Sequence, residues 1–354
     1  MSKILVINTG SSSTKLALFD ENIEVFVEET SHNKEDLQQL KSIEDEINFR
    51  FNIIKKVILE KDIKYSELSA IGAIGGILKS LPGGVYQVNG KMVEDILQGR
   101  VQAKHASNLA AIIAYRIAEE NNLKAYIVDP ISTDELSEIA RISGIPEIER
   151  KSRTHALNVK ACIRRAVKEF SFSDSGNFIV AHIGGGLTIN LVSNGKIIDI
   201  EDGRQYGPFS TETAGGVPIP DFIEYVFDNN ITKNDAMKYW YGKGGVTAHL
   251  KTNSIKDSIE MAKSGNKHAE IVLDAMCYQI AKSIGALSAA ISGKVDAIVL
   301  TGGAARSEYI TGRIIKYVSY IGKIIIFPGE EELQAISDSI ILALNNRIEI
   351  KEYN

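Results

Sequence analysis

A chain of 354 residues with a formal net charge of −5 and 24% charged residues is long enough for two ordinary domains with buried cores, and its charge balance points to neither a nucleic-acid nor a membrane-surface partner. Cys162 and Cys277 lie far apart and read as core thiols of a reducing compartment, not as a disulfide or a metal site. No apolar run approaches the roughly 18 residues of a membrane span, and a first strand starting at residue 3 leaves no room for a signal peptide, so a cytoplasmic location is expected.

The chain opens with KILVINTGSSSTKLALFD, in which apolar runs at 4–7 and 16–19 flank a polar turn and predict a β-hairpin. The turn carries Asn8, Gly10, the hydroxyls of Thr9, Ser11, Ser12, Ser13 and Thr14, and then Lys15. Successive N–H groups in such a turn make a concavity for phosphate oxygens, to which Lys15 adds charge. It is not a Walker A loop, because Lys15 stands where the second glycine belongs. A plain surface turn is the other reading. A return strand at 23–27 leads to a helical stretch over 34–61 with Ile43, Ile47, Phe51, Ile54, Val57 and Ile58 on one face.

A buried strand over 68–73 runs into Gly75-Gly76, and Pro82-Gly83-Gly84 makes a turn. Ser107 is the expected N-cap of a helix whose inward face is Leu109, Ile112, Ile113 and Ile117, with His105 just ahead of it. The strand at 125–128 closes on Asp129-Pro130. Residues 150–153, before a helix over 157–170, mark the expected junction between domains at 1–150 and 151–330.

The second half repeats the opening. FIVAHIGGGLTINLVSNGKIIDI gives a strand, the turn Gly184-Gly185-Gly186 with Thr188, a return strand and a type I′ turn at Asn194-Gly195. A Gly/Pro-rich passage over 202–220 follows. The Ala-, Ser- and Gly-rich helix over 266–291 is apolar nearly all round and is expected to be buried as a spine. VDAIVLTGGAA at 295–305 ends a strand in Gly302-Gly303, as LSAIGAIGG at 68–76 does in the first half. The last helix, about 331–347, offers Leu333, Ile336, Ile340, Ile341 and Leu344, and is expected to pack back on the first domain. Two halves of this kind suggest a duplicated α/β unit. That plan resembles the actin-like (ribonuclease H-like) ATPase and sugar kinase superfamily, in which two domains close on a nucleotide in the cleft between them.

Asn8, Asp129 and His182 sit at strand ends or turns where chemistry belongs. Asp129 is a natural holder of hydrated Mg²⁺, which takes one or two carboxylates; it reads equally as a turn-stabilising residue before Pro130. His182, ahead of the triple glycine, could donate to a transferring phosphoryl group or be a satisfied strand-end histidine. His105 and His155 could cap or brace helices. A sugar hydroxyl needs a base to deprotonate it, whereas a carboxylate is already ionised. Asn8, where many superfamily members carry Asp, leans toward a carboxylate acceptor.

ILVINTGSSSTK, HASNLAAIIA, AYIVDPISTDELSEIARISG, ERKSRTHALN, AHIGGGLTIN, YGPFS, GKGGV, YQIAKSIGALSA, VDAIVLTGG and FPGEEEL occur in this order along essentially the whole chain. In this order they resemble the segments of the butyrate kinases, in the acetate and propionate kinase family. The resemblance implies reversible, Mg·ATP-dependent phosphorylation of a short-chain carboxylate (butyrate or a branched acid) to an acyl phosphate, in a homodimer or higher homo-oligomer. It implies that Asn8, Gly10, Ser11, Ser13 and Lys15 form a first phosphate loop and Gly184, Gly185 and Gly186, with His182, a second. Gly302 and Gly303 would face adenosine, Asp129 and Glu331 would lie near Mg²⁺, and His105 and His182 near the transferred phosphoryl.

Two departures accompany the resemblance. Ile74 and Thr213 stand where the family pattern has arginines that hold the carboxylate and phosphoryl oxygens, and Arg204 is a candidate substitute for one of them. Arg306, beyond the adenosine-type glycines, is a further departure. The alternative is therefore a catalytically impaired paralogue that retains nucleotide or ligand binding.

Overall fold

Both expected hairpins form, and each begins a sheet. The computed structural model describes residues 2–354. The chain starts with β1 (Lys3–Thr9), β2 (Ser13–Asp20), β3 (Ile23–Ser31), α1 (Lys34–Gln39) and α2 (Ile43–Glu60). It continues through β4 (Ala70–Ile74), β5 (Val85–Gln87), α3 (Gly90–Leu97), α4 (Asn108–Glu120), β6 (Ala125–Val128), α5 (Glu138–Arg141) and α6 (Ala156–Phe170). The second hairpin is β7 (Asn177–Ile183) and β8 (Leu187–Ser193), extended by β9 (Lys196–Asp202). Then come α7 (Ile219–Asp228), α8 (Lys233–Met237), α9 (Gly245–Leu250), α10 (Ile255–Lys263) and α11 (Lys267–Ala289). The chain closes with β10 (Ala297–Gly302), α12 (Glu308–Val318), β11 (Lys323–Pro328), α13 (Glu332–Leu344) and β12 (Ile350–Lys351).

Packing divides the chain into one unit of residues 2–134, 156–161 and 331–354 and another of 135–155 and 162–330. The first unit holds a seven-stranded sheet in the order β12-β5-β6-β4-β1-β2-β3. In it β1, β2 and β3 form an antiparallel meander, and β4 and β6 add in parallel on the other side of β1. The second unit holds five strands, β11-β10-β7-β8-β9. Its meander β7-β8-β9 and its parallel additions β10 and β11 repeat that pattern. The internal duplication is therefore present in strand order and direction.

The continuous apolar run of β1 follows from burial on both sheet faces: Ile4, Leu5, Val6 and Ile7 are all fully buried. Helices α4 and α13 both lie against β1 and β4. A side chain at Gly72 would stand 2.7 Å from Ile336 Cγ2 and 2.8 Å from Ile340 Cδ1, so the bare backbone there is what lets α13 settle on the first sheet. In the second unit α11 lines the core with Val272, Leu273, Met276, Cys277, Ile280 and Ile284.

Three local expectations are corrected. The helical stretch over 34–61 is two helices, because Ser42 starts a new one: its Oγ accepts from Asp45 N at 3.1 Å while Asp45 Oδ2 accepts from Ser42 N at 2.9 Å, a reciprocal cap. Helix α11 is not buried all round, since Ile271 is 66% exposed and Tyr278 is half-exposed. Ser107 precedes α4 in a helical conformation and makes no capping bond; its Oγ lies 2.8 Å from His105 Nδ1. The turn at Asn194-Gly195 has φ of 50° and 73°, as a type I′ hairpin requires. Both cysteines are free and buried. No helix among the described residues is long and apolar enough to cross a membrane.

Candidate active site

The first turn joins β1 to β2. Gly10 N donates to Ser13 O at 2.9 Å, and His32 N to Ser12 O at 2.8 Å. Ser11 and Ser12 are exposed, and among the described residues their N–H groups have no acceptor in the protein. This is the geometry of a small anion cradle. His105 faces it, with Nε2 3.5 Å from Ser11 Oγ. Ser107 N donates to His105 Nδ1 at 3.2 Å, so Nδ1 is the bare nitrogen and the proton sits on Nε2, toward the turn. Burial first, and then the Arg50 guanidinium, hold the His105 imidazole below its ordinary value. His105 therefore meets the turn as a neutral donor.

Asn8, at the end of β1, donates through Nδ2 to Glu332 Oε2 at 3.0 Å. Lys15, on β2, pairs with Glu29 Oε2 at 3.4 Å. Asp129 ends β6 with a positive φ of 39°. Its buried Oδ1 accepts from Gly84 N at 2.8 Å and lies 4.0 Å from Lys160 Nζ. Glu331 is the N-cap residue of α13. Ile74 is a core residue at the end of β4.

The second turn joins β7 to β8. Gly184 N donates to Gly186 O at 2.9 Å. The segment 210–213 braces the turn from behind: Ser210 Oγ donates to Gly185 O at 2.6 Å and Thr211 Oγ1 to Gly184 O at 3.2 Å. Among the described residues the N–H groups of Gly185 and Gly186 have no acceptor. The carbonyls are tied back while these amides face outward, which is again a cradle for an anion. Thr213 belongs to the brace, with Oγ1 2.7 Å from Ser210 Oγ.

His182, buried at the end of β7, lies with Nε2 3.1 Å from Glu330 Oε1. His155 stacks on it, ring centroids 3.8 Å apart and planes within 12°, and bonds Thr188 Oγ1 through Nδ1 at 3.1 Å. Burial, then His182 and Arg204, push His155 well below its ordinary value. Arg204 Nε is 3.4 Å from Asp202 Oδ1. Gly302, at the end of β10, exchanges backbone hydrogen bonds with Gly329. It has a φ of 88°, and a side chain there would strike Ile183 O at 2.5 Å; Gly303 faces open space. The side chain of Arg306 lies over Gly329.

Within the first unit, then, Ser11 and His105 meet at one turn, while Asp129 sits at the Gly84 loop and Asn8 at Glu332. Within the second, His182, Gly184, Gly185 and Gly186 meet, joined by His155. The stacking of His155 on His182 was not legible beforehand, because a contact between a helix end and a strand end leaves no trace in spacing. Arg50 was missed as well, although a signal existed: it falls between Ile47 and Ile54 on the apolar face of α2, a place where an arginine has no ordinary business.

Two sheets of one repeated topology, each with an amide-lined turn after its first strand, define a duplicated α/β fold of the actin-like class. The sequence and structural comparisons agree. Acetate kinase from Porphyromonas gingivalis matches with a TM-score of 0.74 at 19% identity, over 97% of this chain and 100% of that one. A propionate kinase from Francisella tularensis matches with a TM-score of 0.72 at 20% identity, over 96% and 99%. At these identities the likeness is one of fold. The model described as the acetokinase family matches residues 150–343. Butyrate kinase 1 of Clostridium acetobutylicum is 42% identical over 357 residues, covering 100% of both chains, and butyrate kinase 2 of the same organism is 42% identical over 355 residues, 99% of each. The chain belongs to the acetokinase family and is a carboxylate kinase.

Proposed function

We propose that the chain phosphorylates a short-chain carboxylate, butyrate or a branched acid of similar size, with Mg·ATP, reversibly yielding an acyl phosphate. The observation that carries this reading is the second turn, whose Gly185 and Gly186 amides have no protein acceptor while its carbonyls are held back by Ser210 and Thr211. Backbone amides fixed in advance stabilise phosphoryl oxygens without reorganising during transfer.

In this reading Gly10, Ser11 and Ser13, flanked by Asn8 and Lys15, hold phosphoryl oxygens at the first turn. Gly184, Gly185 and Gly186 hold them at the second, and Gly302 and Gly303 face adenosine. His105 and His182 donate to the transferring group, His105 as the neutral Nε2–H tautomer set by Ser107. A base is not required, because the attacking carboxylate oxygen is already ionised at neutral pH.

Asp129 and Glu331 would hold Mg²⁺. The donors are hard carboxylate oxygens, and an ion that keeps most of its waters needs only one or two of them, so the absence of a cluster of three ligands among the described residues is compatible with it. Bound there, Mg²⁺ supplies charge neutralisation to the phosphoryl oxygens. A homo-oligomer, at least a dimer, and a cytoplasmic site of action complete the proposal.

A second reading, a chain that binds nucleotide but turns over slowly, is favoured by Ile74 and Thr213. The first is core hydrocarbon, and the second spends its hydroxyl on Ser210, so neither supplies the guanidinium that the family pattern has there.

Trapping the acyl phosphate with hydroxylamine tests the proposal. Native protein should give a hydroxamate from butyrate and Mg·ATP, and Asp129→Asn or His182→Gln should lower its rate by at least ~10²-fold. Equal rates in the native and both variant proteins would overturn these assignments.

A further inference from the structure

Among the described residues Arg50 is the largest side chain buried to within 2%, at 1% exposure on α2. Its Nη1 donates to Ser13 O at 3.0 Å and to Thr14 Oγ1 at 3.0 Å, and lies 3.2 Å from His32 Nε2. His32 Nε2 is also 2.9 Å from Thr14 Oγ1. The guanidinium thus grips the main chain of the first turn from below. Its Nε is buried and has no hydrogen-bond partner. Among the described residues it makes no ion pair; the carboxylate it feels is Glu46, one helical turn away, half-buried and not in contact with it as an ion pair.

A buried guanidinium is almost always paired, because removing a charge from water is costly unless an opposite charge repays it. Carbonyl and hydroxyl acceptors satisfy some of its N–H groups but leave its charge uncancelled. The neighbours are equally telling. Burial and Arg50 together depress both His32 and His105, so beneath the turn one buried positive charge stands among neutral donors, while Lys15 at its edge is already paired with Glu29. Such a place is electrostatically incomplete until an anion arrives.

We propose that Arg50 is a positioning residue for polyanion binding at the first turn, where the phosphoryl oxygens of a nucleoside triphosphate or an acyl phosphate supply its missing counter-charge. It fixes the Ser13 carbonyl so that the Ser11 and Ser12 amides point outward, and it supplies the potential that draws phosphoryl groups to them. This rests on reading the first turn as a phosphate site. It extends that reading to a residue 37 positions away in sequence from Ser13 that touches no ligand itself.

The test compares Arg50→Met, which removes the charge, with Arg50→Lys, which keeps it, by calorimetry with Mg·ATP and with adenosine. Arg50→Met should lose about tenfold or more in Mg·ATP affinity, Arg50→Lys should stay within about threefold of native, and both should bind adenosine as native does. Equal Mg·ATP affinity in native and Arg50→Met overturns the proposal and leaves the phosphate turn standing. A native protein that binds no Mg·ATP overturns both together. Parallel loss of adenosine and Mg·ATP binding in Arg50→Met marks a purely structural role and also overturns it. If Arg50→Met does not fold, the native chain decides. The Arg50 Nε–H resonance, assigned by its loss in Arg50→Lys, should move and gain exchange protection when pyrophosphate is added, and an unmoved resonance overturns the proposal.

Discussion

Replacing Gly185 by valine separates ligand binding from folding. The backbone at Gly185 is not in the left-handed region, so an L side chain is tolerated there. A Cβ would stand 3.0 Å from Glu212 Oε2, the tip of a flexible side chain that otherwise receives Asn253 Nδ2 at 2.9 Å on its other oxygen. A small swing of that carboxylate makes room. The isopropyl group adds bulk at the exposed turn whose Gly185 and Gly186 amides have no acceptor among the described residues. If a phosphoryl group binds there, the variant forfeits two charge-assisted hydrogen bonds of roughly 1.5–3 kcal/mol each. At about 1.4 kcal/mol per tenfold, their sum weakens Mg·ATP binding by at least ~10²-fold. Calorimetry reads the affinity, and a thermal unfolding midpoint within about 3 °C of native shows that the fold is intact. Native affinity in the folded variant would refute the assignment. Gly302→Ala makes the contrasting case: with φ at 88° and Ile183 O 2.5 Å from the new Cβ, it should lower the unfolding midpoint itself.

Two further outcomes follow from the same geometry. Introducing Ile74→Arg and Thr213→Arg together should raise butyrate-dependent acyl phosphate formation by at least ~10²-fold over the native chain, with each single change giving less than the pair; no gain in the folded double variant would remove the arginine argument. His155 is kept neutral by burial and by its stack on His182. Its folded-state value lies below the ordinary 6.5, so as pH falls through that value the unfolded chain takes up a proton that the folded chain does not, and stability is lost at up to about 1.4 kcal/mol per pH unit. Glu201, which burial holds protonated up to about 7, acts in the opposite sense between about 4.5 and 7, so urea unfolding should be compared between native and His155→Phe, where that contribution cancels. The native protein should show the steeper loss from pH 7 to 5.5, and parallel slopes would contradict the assignment.

Most of the architecture was legible because it rests on local pattern. The hairpins announce themselves by apolar runs around glycine and hydroxyl turns, and their recurrence near residues 10 and 185 exposed the duplication before any topology was known. Helix α13 showed its buried face through Ile336, Ile340 and Ile341. The break between α1 and α2 was written in the Ser42–Asp45 cap but masked by the apolar periodicity running up to it. Composition misled at α11, where small residues allow close packing without requiring it on every side. At the site, residues on the turns themselves could be named from sequence. Residues that act from behind could not: Ser210 and Thr211 brace the second turn from 25 and 27 positions away, and His155 reaches His182 only through the fold. The charge of Arg50 on an apolar helix face was the one clue of that kind available.

The most direct test of the account is acyl phosphate formation from acetate, propionate, butyrate and isobutyrate with Mg·ATP, with nucleotide affinity measured on the same preparation. The account predicts that Mg·ATP binds and that butyrate or isobutyrate is phosphorylated in preference to acetate. Bound Mg·ATP with no acyl phosphate from any of the four acids would contradict it.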